Sequence, residues 1–581
     1  MKRFFGSMLG SFIGVGLSLV VFVLILVGIA SMSSSDVAKV EDGSYLLIDI
    51  YGQINEYDPP QDIIGMATGG ESETLQRILS NLEKAAVDSR IEGVVFKLSY
   101  NNNLGWAKLQ EIRNAIDRFQ LTGKKVHVWS DSMNIGMLYL AGTCDGTYMP
   151  QSGMLNFQGL SSWSVHLKDM MDKLGVEVHL HKIKDYKSAA EFFTESEMTD
   201  AAREMKTWML EEVWDQVIPA IAEERGLTEE KILELMQYAL FQVPEGVEAG
   251  LIDGAMYWQE FEKTLVPDGE FKTVSQSAYA TVTRHELGLE GDGLIAVVHA
   301  QGNIGGRESR VDPALGLMMG HESVCEELRK CREEDYIDAV VFRVDSGGGE
   351  ALASDLIAHE IDLLSQVKPV VVSMVDVAGS GGYMIAYKGT KMIADPLTVT
   401  GSIGSINGIF ITTGLDEKIG IGKDYVEKGP MALLHNGVRT PTAEEWDRHV
   451  DAHWKSYNTW LADVADHRGM EFVDAEKLAH GRVWTGRQAT ANGLIDGTGD
   501  LYDAITMAKE LAELPVDQNV ALLHFPEKKE MMELVMEMFG GGADVSQSLR
   551  NSIYIGIQKD LNSSMQFMQN GAVNVVQPPR P

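Results

Sequence analysis

The chain of 581 residues carries one pattern twice, and that constrains its fold more than anything else in it. Tyr45–Ile54 (YLLIDIYGQI) recurs as Ile295–Ile304 (IAVVHAQGNI), Arg90–Lys97 (RIEGVVFK) as Tyr336–Arg343 (YIDAVVFR), and Ala249–Gly254 (AGLIDG) as Asn492–Gly497 (NGLIDG). The offset shrinks steadily from 250 to 243 residues, as a duplication with small loop deletions would give. Whatever buries the first copy must therefore bury the second.

Within each copy, short β-branched runs alternate with apolar residues at helical spacing, the pattern of βα units on a largely parallel sheet. After Val340–Val344 comes a glycine turn, then Ala351, Leu352, Leu356, Ile357, Ile361 and Leu364 at helical spacing, then the strand-like Pro369–Met374. Longer helices are predicted at matching places, Thr199–Glu224, interrupted by Pro219, and Thr442–His467, opened by a Thr442/Glu445 capping box. The fold class is thus α/β in tandem duplication, with copies at 36–266 and 294–511 and a polar junction at 267–293. Past Asp503 the repeat ends, and 512–581 reads as a helical extension containing Lys528–Phe539 and Leu549–Met568. Their methionines suit core packing or a swapped arm better than a membrane surface.

Ahead of the first copy, residues 1–35 hold Lys2 and Arg3 and then the nearly uncharged run Phe4–Met32. That run is long enough for a transmembrane helix and exceeds the apolar core of a cleavable export signal, although a cleaved signal ending near Ala30 is the competing reading. Basic residues before it and Asp36, Glu41 and Asp42 after it put the N-terminus in the cytoplasm and the body outside. With 84 acidic against 49 basic residues, a formal charge of −35, the body is a poor partner for nucleic acid. Cys144, Cys325 and Cys331 show no disulfide or metal spacing, the histidines form no metal motif, and neither metal nor cofactor is expected.

One turn carries chemistry. Ala378-Gly379-Ser380-Gly381-Gly382-Tyr383 joins the strand-like run to a helix start, where a serine hydroxyl can stand exposed among open backbone N–H groups. The same residues suit an ordinary turn or an anion-binding loop. A second turn, Asp345-Ser346-Gly347-Gly348-Gly349, ends the neighbouring strand, and in a parallel sheet both turns face one crevice. N–H groups of Gly348 or Gly349, with that of Gly381, can there form an oxyanion hole, or equally a phosphate nest. No histidine offers itself as a base with an orienting carboxylate: His299 sits in a strand pattern, His359 in a helix and His435 in a loop. A lysine would serve if burial kept it neutral, which sequence cannot show.

Five segments, FRVDSGGGEALAS (342–354), VAGSGGYMIA (377–386), TGSIGS (400–405), KDYKSAAEFF (184–193) and GRVWTGRQATANGLIDG (481–497), together with the duplication and the N-terminal run, resemble the long form of signal peptide peptidase A, or protease IV. The resemblance reaches from the N-terminal run to about Leu511. It implies a duplicated ClpP/crotonase-like fold with an N-terminal transmembrane helix, anchored single-pass in the inner membrane with its catalytic body on the periplasmic side. It also implies a Ser–Lys endopeptidase that degrades released signal peptides and other hydrophobic peptides, in a ring-like homotetramer that limits access to unfolded or membrane-released peptides, without cofactor. Residue by residue, Ser380 matches the nucleophile, Lys187 the general base, Ser402 the serine that bonds the lysine, and Gly348 and Gly381 the oxyanion donors, with Gly349 in support. The repeat agrees: Ile135 stands opposite Ser380 and Pro430 opposite Lys187, so each copy has lost what the other keeps.

Two positions depart from the family pattern. Gly347 replaces the proline of the usual Ser-Pro-Gly-Gly-Ser turn, and Glu350 its last serine. They support a second reading, a non-catalytic scaffold that binds hydrophobic peptides. Crotonase-type acyl-CoA chemistry is a third, opposed by the expected topology. Gly379 stands where alanine is common, and Lys428, near the position opposite Lys187, reads as a surface residue.

Overall fold

The computed structural model describes residues 39–58, 73–312 and 314–527. The amino-terminal copy includes the strands β1 (Ser44–Gly52), β2 (Ile91–Asn102), β3 (Lys125–Ser130), β4 (Gly146–Met149), β5 (Glu177–Lys182), β6 (Gly254–Ala255) and β7 (Thr273–Ser275). All but β5 form one six-stranded parallel sheet in the order β7-β1-β2-β3-β4-β6. The carboxy-terminal copy repeats that order with β8 (Leu294–Gln301), β9 (Ala339–Ser346), β10 (Val370–Gly379), β11 (Lys391–Ala394), β15 (Gly497–Thr498) and, outermost beside β8, β16 (Ala521–Phe525). Between β11 and β15 come β12 (Val399–Gly401), β13 (Ile406–Ile411) and β14 (Val483–Thr485); β12 pairs with the far end of β10 and β14 with β12. The duplicated α/β architecture is therefore present strand for strand.

Apolar cores on both faces of the second sheet explain its uninterrupted Val/Ile/Ala runs. Alternate residues divide between them: Ala296, Val298, Val340, Phe342 and Val372 join one core, while Ile295, Val297, Val341 and Val371 join another with Leu501, Ala504 and Ala508. Strand β7 lies inside the stretch read as a junction, and β16 inside the stretch read as a helical extension. The repeat thus runs on to Phe525 rather than ending past Asp503. Outermost strands of three and five residues are specified by backbone pairing more than by side-chain identity, so no echo survives in sequence. The helix α2 (Asp200–Arg225) also differs from expectation, running straight through Pro219. Burial of Val217, Ile218, Ile221 and Ala222 in the first core offsets the roughly 3 kcal/mol that an internal proline costs. Helix α3 (Ala351–Ser365) follows β9 as expected, and Thr442 and Glu445 do form the expected capping box, at the start of α5 (Ala443–His467). Among the described residues no helix is long and apolar enough to cross a membrane. Phe4–Met32, Lys528–Phe539 and Leu549–Met568 lie outside them.

A strand pairing and a buried ion group are among the contacts that join the copies. Strand β5 pairs antiparallel with β13, from Lys182 opposite Ile406 to Glu177 opposite Ile411. At the seam itself the fully buried Arg343 of β9 donates from Nε to Glu56 Oε1 (2.7 Å), from Nη2 to Glu111 Oε1 (2.6 Å) and from Nη1 to Ser373 Oγ (2.8 Å). Glu111 lies on α1 (Trp106–Gln120) of the other copy. Burial pushes its carboxyl up to about 7 against the pull of Arg343, whereas Glu56 is held ionised by Arg343 despite its burial. Removing one member of such a group leaves a charge stranded. Arg343→Met is expected to lower stability by about 3–5 kcal/mol, read from the urea midpoint, with part recovered in Arg343→Met/Glu56→Gln; an unchanged midpoint would show that the seam does not depend on this pairing.

Candidate active site

Strand β10 delivers Ser380. The strand is buried along most of its length and ends at Gly379, and the four-residue helix α4 (Gly381–Met384) follows at once. Ser380 takes φ 56° and ψ −117°, a conformation foreign to ordinary L-residues, and its N–H donates to Gly401 O at 2.8 Å. That strain is held by packing on every side and leaves the hydroxyl at the tip of a strand-to-helix elbow. The second turn lies directly against it. A Cβ built on Gly348 (φ 101°) would come within 2.5 Å of Gly381 N and 2.9 Å of Ser380 Cβ, so only glycine fits.

The same turn modifies one expectation. Gly348 donates its N–H to Ser346 Oγ at 3.2 Å, while Ile304 N donates to its carbonyl at 3.0 Å. The N–H groups of Gly349 and Gly381 carry no partner among the described residues. Gly349 and Gly381 are therefore the open donors, and Gly348 supplies the close approach.

Lys187 arrives from the other copy. Beyond β5 the chain is tied down by Ile183 N to Ser405 O (2.9 Å) and Tyr186 N to His480 O (3.2 Å). It then passes Gly481, where a Cβ would stand 2.5 Å from Lys187 N and 2.6 Å from Lys187 Cα. Gly404 gives the side chain a similar clearance, its built Cβ lying 3.2 Å from Lys187 Cδ. Across this slot Tyr186 and Trp208 of one copy stack with Trp484 of the other, Arg482 lying over the Tyr186 ring at 4.1 Å. Gly404, Gly481 and the aromatic stack sit within or beside the motif segments, but nothing in their spacing signalled that they shape a lysine slot.

At the end of the slot Lys187 Nζ lies 2.8 Å from Ser380 Oγ, 2.8 Å from Ser402 O and 2.9 Å from Ser402 Oγ. Ser402, itself at φ 51°, is fixed by donating its N–H to Arg482 O at 2.6 Å. A neutral amine has two N–H donors and one lone pair. In the neutral form two donations to Ser402 leave the lone pair to accept from the Ser380 hydroxyl, whereas the ammonium would donate to all three oxygens. Burial lowers the Lys187 pKa to about 7, and among the described residues no carboxylate, Glu350 included, opposes it. Ser380, Lys187, Ser402, Gly348, Gly349 and Gly381 are thus brought together. Ile135 and Pro430 are not: Ile135 is a buried helix start and Pro430 is exposed, as is Lys428.

Comparison with known proteins matches the description "Peptidase family S49" over residues 118–267 and 362–515, once in each copy. The chain belongs to peptidase family S49. Its S49 relatives include the serine protease SPPA, chloroplastic, of Arabidopsis thaliana, 30% identical over 557 residues that cover 93% of this chain and 80% of that one. Protease 4 of Haemophilus influenzae is 29% identical, covering 94% and 93%, and Protease 4 of Salmonella typhi is 28% identical, covering 85% and 82%. Agreement over most of both chains makes this the long, duplicated signal peptide peptidase A form of the family, a serine endopeptidase.

The turn glycines separate into two kinds. A Cβ on Gly379 would meet only Ser402 Cβ at 3.6 Å and Val377 Cγ1 at 3.9 Å, ordinary contact, whereas one on Gly382 would collide with Ser346 O. Gly379→Ala is therefore expected to keep peptidase activity within about twofold and Gly382→Ala to lose it by about 100-fold or more, since an ångström of misplacement can cost that much. Equal activity of the two variants would contradict the packing.

Proposed function

We propose that this chain is a membrane-anchored Ser–Lys endopeptidase, with Ser380 as nucleophile and Lys187 as general base, that degrades signal peptides and other hydrophobic peptides. The observation that carries the reading is the three-way contact of Lys187 Nζ, buried where no carboxylate among the described residues stabilises its charge. Ser380 Oγ attacks the scissile carbonyl carbon as its proton passes to Nζ. The tetrahedral oxyanion is met by the N–H groups of Gly381 and Gly349. Collapse expels the amine, which takes the proton back from Lys187. Lys187 Nζ, neutral again, then takes a proton from water as its oxygen attacks the acyl carbon, and returns it to Ser380 Oγ as the acyl group leaves as a carboxylic acid. Ser402 holds the base in place throughout.

The finer fold assignment, a duplicated ClpP/crotonase-like domain, belongs to this reading, as do an inner-membrane anchor at Phe4–Met32, an extracytoplasmic body and a homotetramer. The duplication, the run of about 20 apolar residues and its flanking charges support it.

The chemistry is tested on the full chain purified in detergent, with a fluorogenic hydrophobic peptide. A base that titrates at about 7 must lose its proton to act, so kcat/KM is expected to rise tenfold per pH unit below about 7 and level off above it. Ser380→Ala and Lys187→Ala should each lose roughly 1000-fold or more; activity surviving Lys187→Ala sinks the assignment of the base. Orientation is tested separately: protease added to spheroplasts should digest the body while a cytoplasmic marker survives, and a protected body would place it on the other side.

A further inference from the structure

A second lysine crosses the seam. Lys108, near the start of α1, is buried, and its Nζ lies 2.8 Å from Asp345 Oδ2, 3.3 Å from Asp376 Oδ2 and 3.2 Å from Ile54 O. Asp345 lies in β9 just before the Ser346–Gly349 turn, and Asp376 in β10 four residues before Ser380. The carboxylates are fastened further by the backbone: Asp345 Oδ1 accepts from Val377 N and Asp376 Oδ1 from Lys108 N, each at 3.2 Å. Asp376 therefore caps α1 from the other copy, at a start where Gly105 supplies no side chain of its own. A Cβ on Gly105 would collide with that carboxylate.

The position of this group matters because the strand ladder fails there. β9 and β10 pair regularly from Val340–Val370 to Val344–Met374, then slip, resuming only at Ser346–Ala378. Over the slipped step, ladder hydrogen bonds do not set the spacing of the two strands whose ends carry the open N–H of Gly349 and the hydroxyl of Ser380. Behind the turn lies a polar cavity of about 270 Å³, lined in part by Glu56, Lys108, Asp345 and Gly347. A Cβ built on Gly347 would meet nothing within 4 Å. Packing does not hold the turn from that side.

We infer that Lys108 is a positioning residue for the peptidase reaction: by binding Asp345 and Asp376 together it sets the distance between the oxyanion turn and Ser380. The inference rests on the Ser–Lys reading above. Its charge state suits the task and contrasts with that of Lys187. Burial alone would lower the Lys108 pKa, but Asp345 and Asp376 outweigh it and keep the amine protonated. The alignment that sets Gly136 against Gly381 sets Ala353, buried in its own copy, against Lys108. The clamp, like the base, is kept by the amino-terminal copy alone.

The test uses the full chain in detergent, with kcat referred to active sites titrated by a fluorophosphonate so that unfolded protein does not count. Lys108→Met is expected to lower kcat by about 30- to 100-fold, with KM within about threefold and the acid limb of the pH profile unmoved, and Lys108→Arg to recover most of the loss. A kcat within threefold of the parent in folded Lys108→Met overturns the inference. So does a displaced acid limb, which would mean that Lys108 acts through its charge on Lys187. Where Lys108→Met does not fold, Asp376→Asn replaces it: the amide still caps α1 but loses its pairing with Nζ, and about a tenfold fall in kcat is expected, an unchanged kcat again overturning the inference. Failure of the underlying reading looks different, since Lys187→Ala would then stay active.

Discussion

The proposed Ser–Lys chemistry requires an uncharged amine within hydrogen-bonding reach of a serine, and the seam between the copies is where the structure offers one. A lysine in water holds its proton until about pH 10.4, and each unit of depression costs about 1.4 kcal/mol of differential solvation. The chain bears a formal charge of −35, so a carboxylate is seldom far from any surface point and would restore the charge on an amine. Lys187 escapes by lying in a slot floored by Gly404 and Gly481 and ended by Ser402, whose oxygens accept hydrogen bonds but carry no charge. Lys108 shows the alternative within the same seam. It is buried too, but with two aspartates, and it stays protonated. Burial sets the direction of one shift and pairing the direction of the other.

A slot of that kind is hard to build within one α/β unit, where the crevice at the strand ends is open to water. Duplication supplies the missing wall. The carboxy-terminal copy contributes both glycine turns and Ser402, and the amino-terminal copy lays β5 along β13 and carries the lysine in from the side. Once the lysine came from one copy and the serine from the other, a second serine or lysine had no partner. Ile135 is buried at its helix start and Pro430 is exposed, so neither keeps a trace of the former role.

How much of this could be read beforehand follows from how local each signal is. Strand-turn-helix order around Ser380, the capping box at Thr442 and the repeat itself depend on residues close in sequence, and they were legible. Ser380 and Lys187 are 193 residues apart, and only the family resemblance joined them; no spacing rule links a lysine in one copy to a serine in another. The short strands β7 and β16 were missed because their pairing is set by backbone groups that every sequence has. Pro219 misled because its local cost is outweighed by burial that only the tertiary structure provides. Lys108 carried no signal at all, since a lysine in an amphipathic helix reads as solvated until its two aspartates are seen to belong to the other copy.

The seam also explains why so much charge is buried in it. Apolar contacts alone resist separation but tolerate sliding, because one methyl group packs against another nearly as well after a small shift. A guanidinium does not. Arg343 meets Glu56, Glu111 and Ser373 along fixed N–H directions, and a slide of an ångström would leave at least one buried charge unpaired, at a cost several times that of a neutral hydrogen bond. Replacing such a group by well-packed apolar residues can leave a protein equally stable, so stability alone does not account for it. What the ions add is registration. A serine and a lysine held at 2.8 Å across two copies of a domain need those copies fixed to a fraction of an ångström, and directional, buried, mutually dependent charges impose that where apolar packing does not.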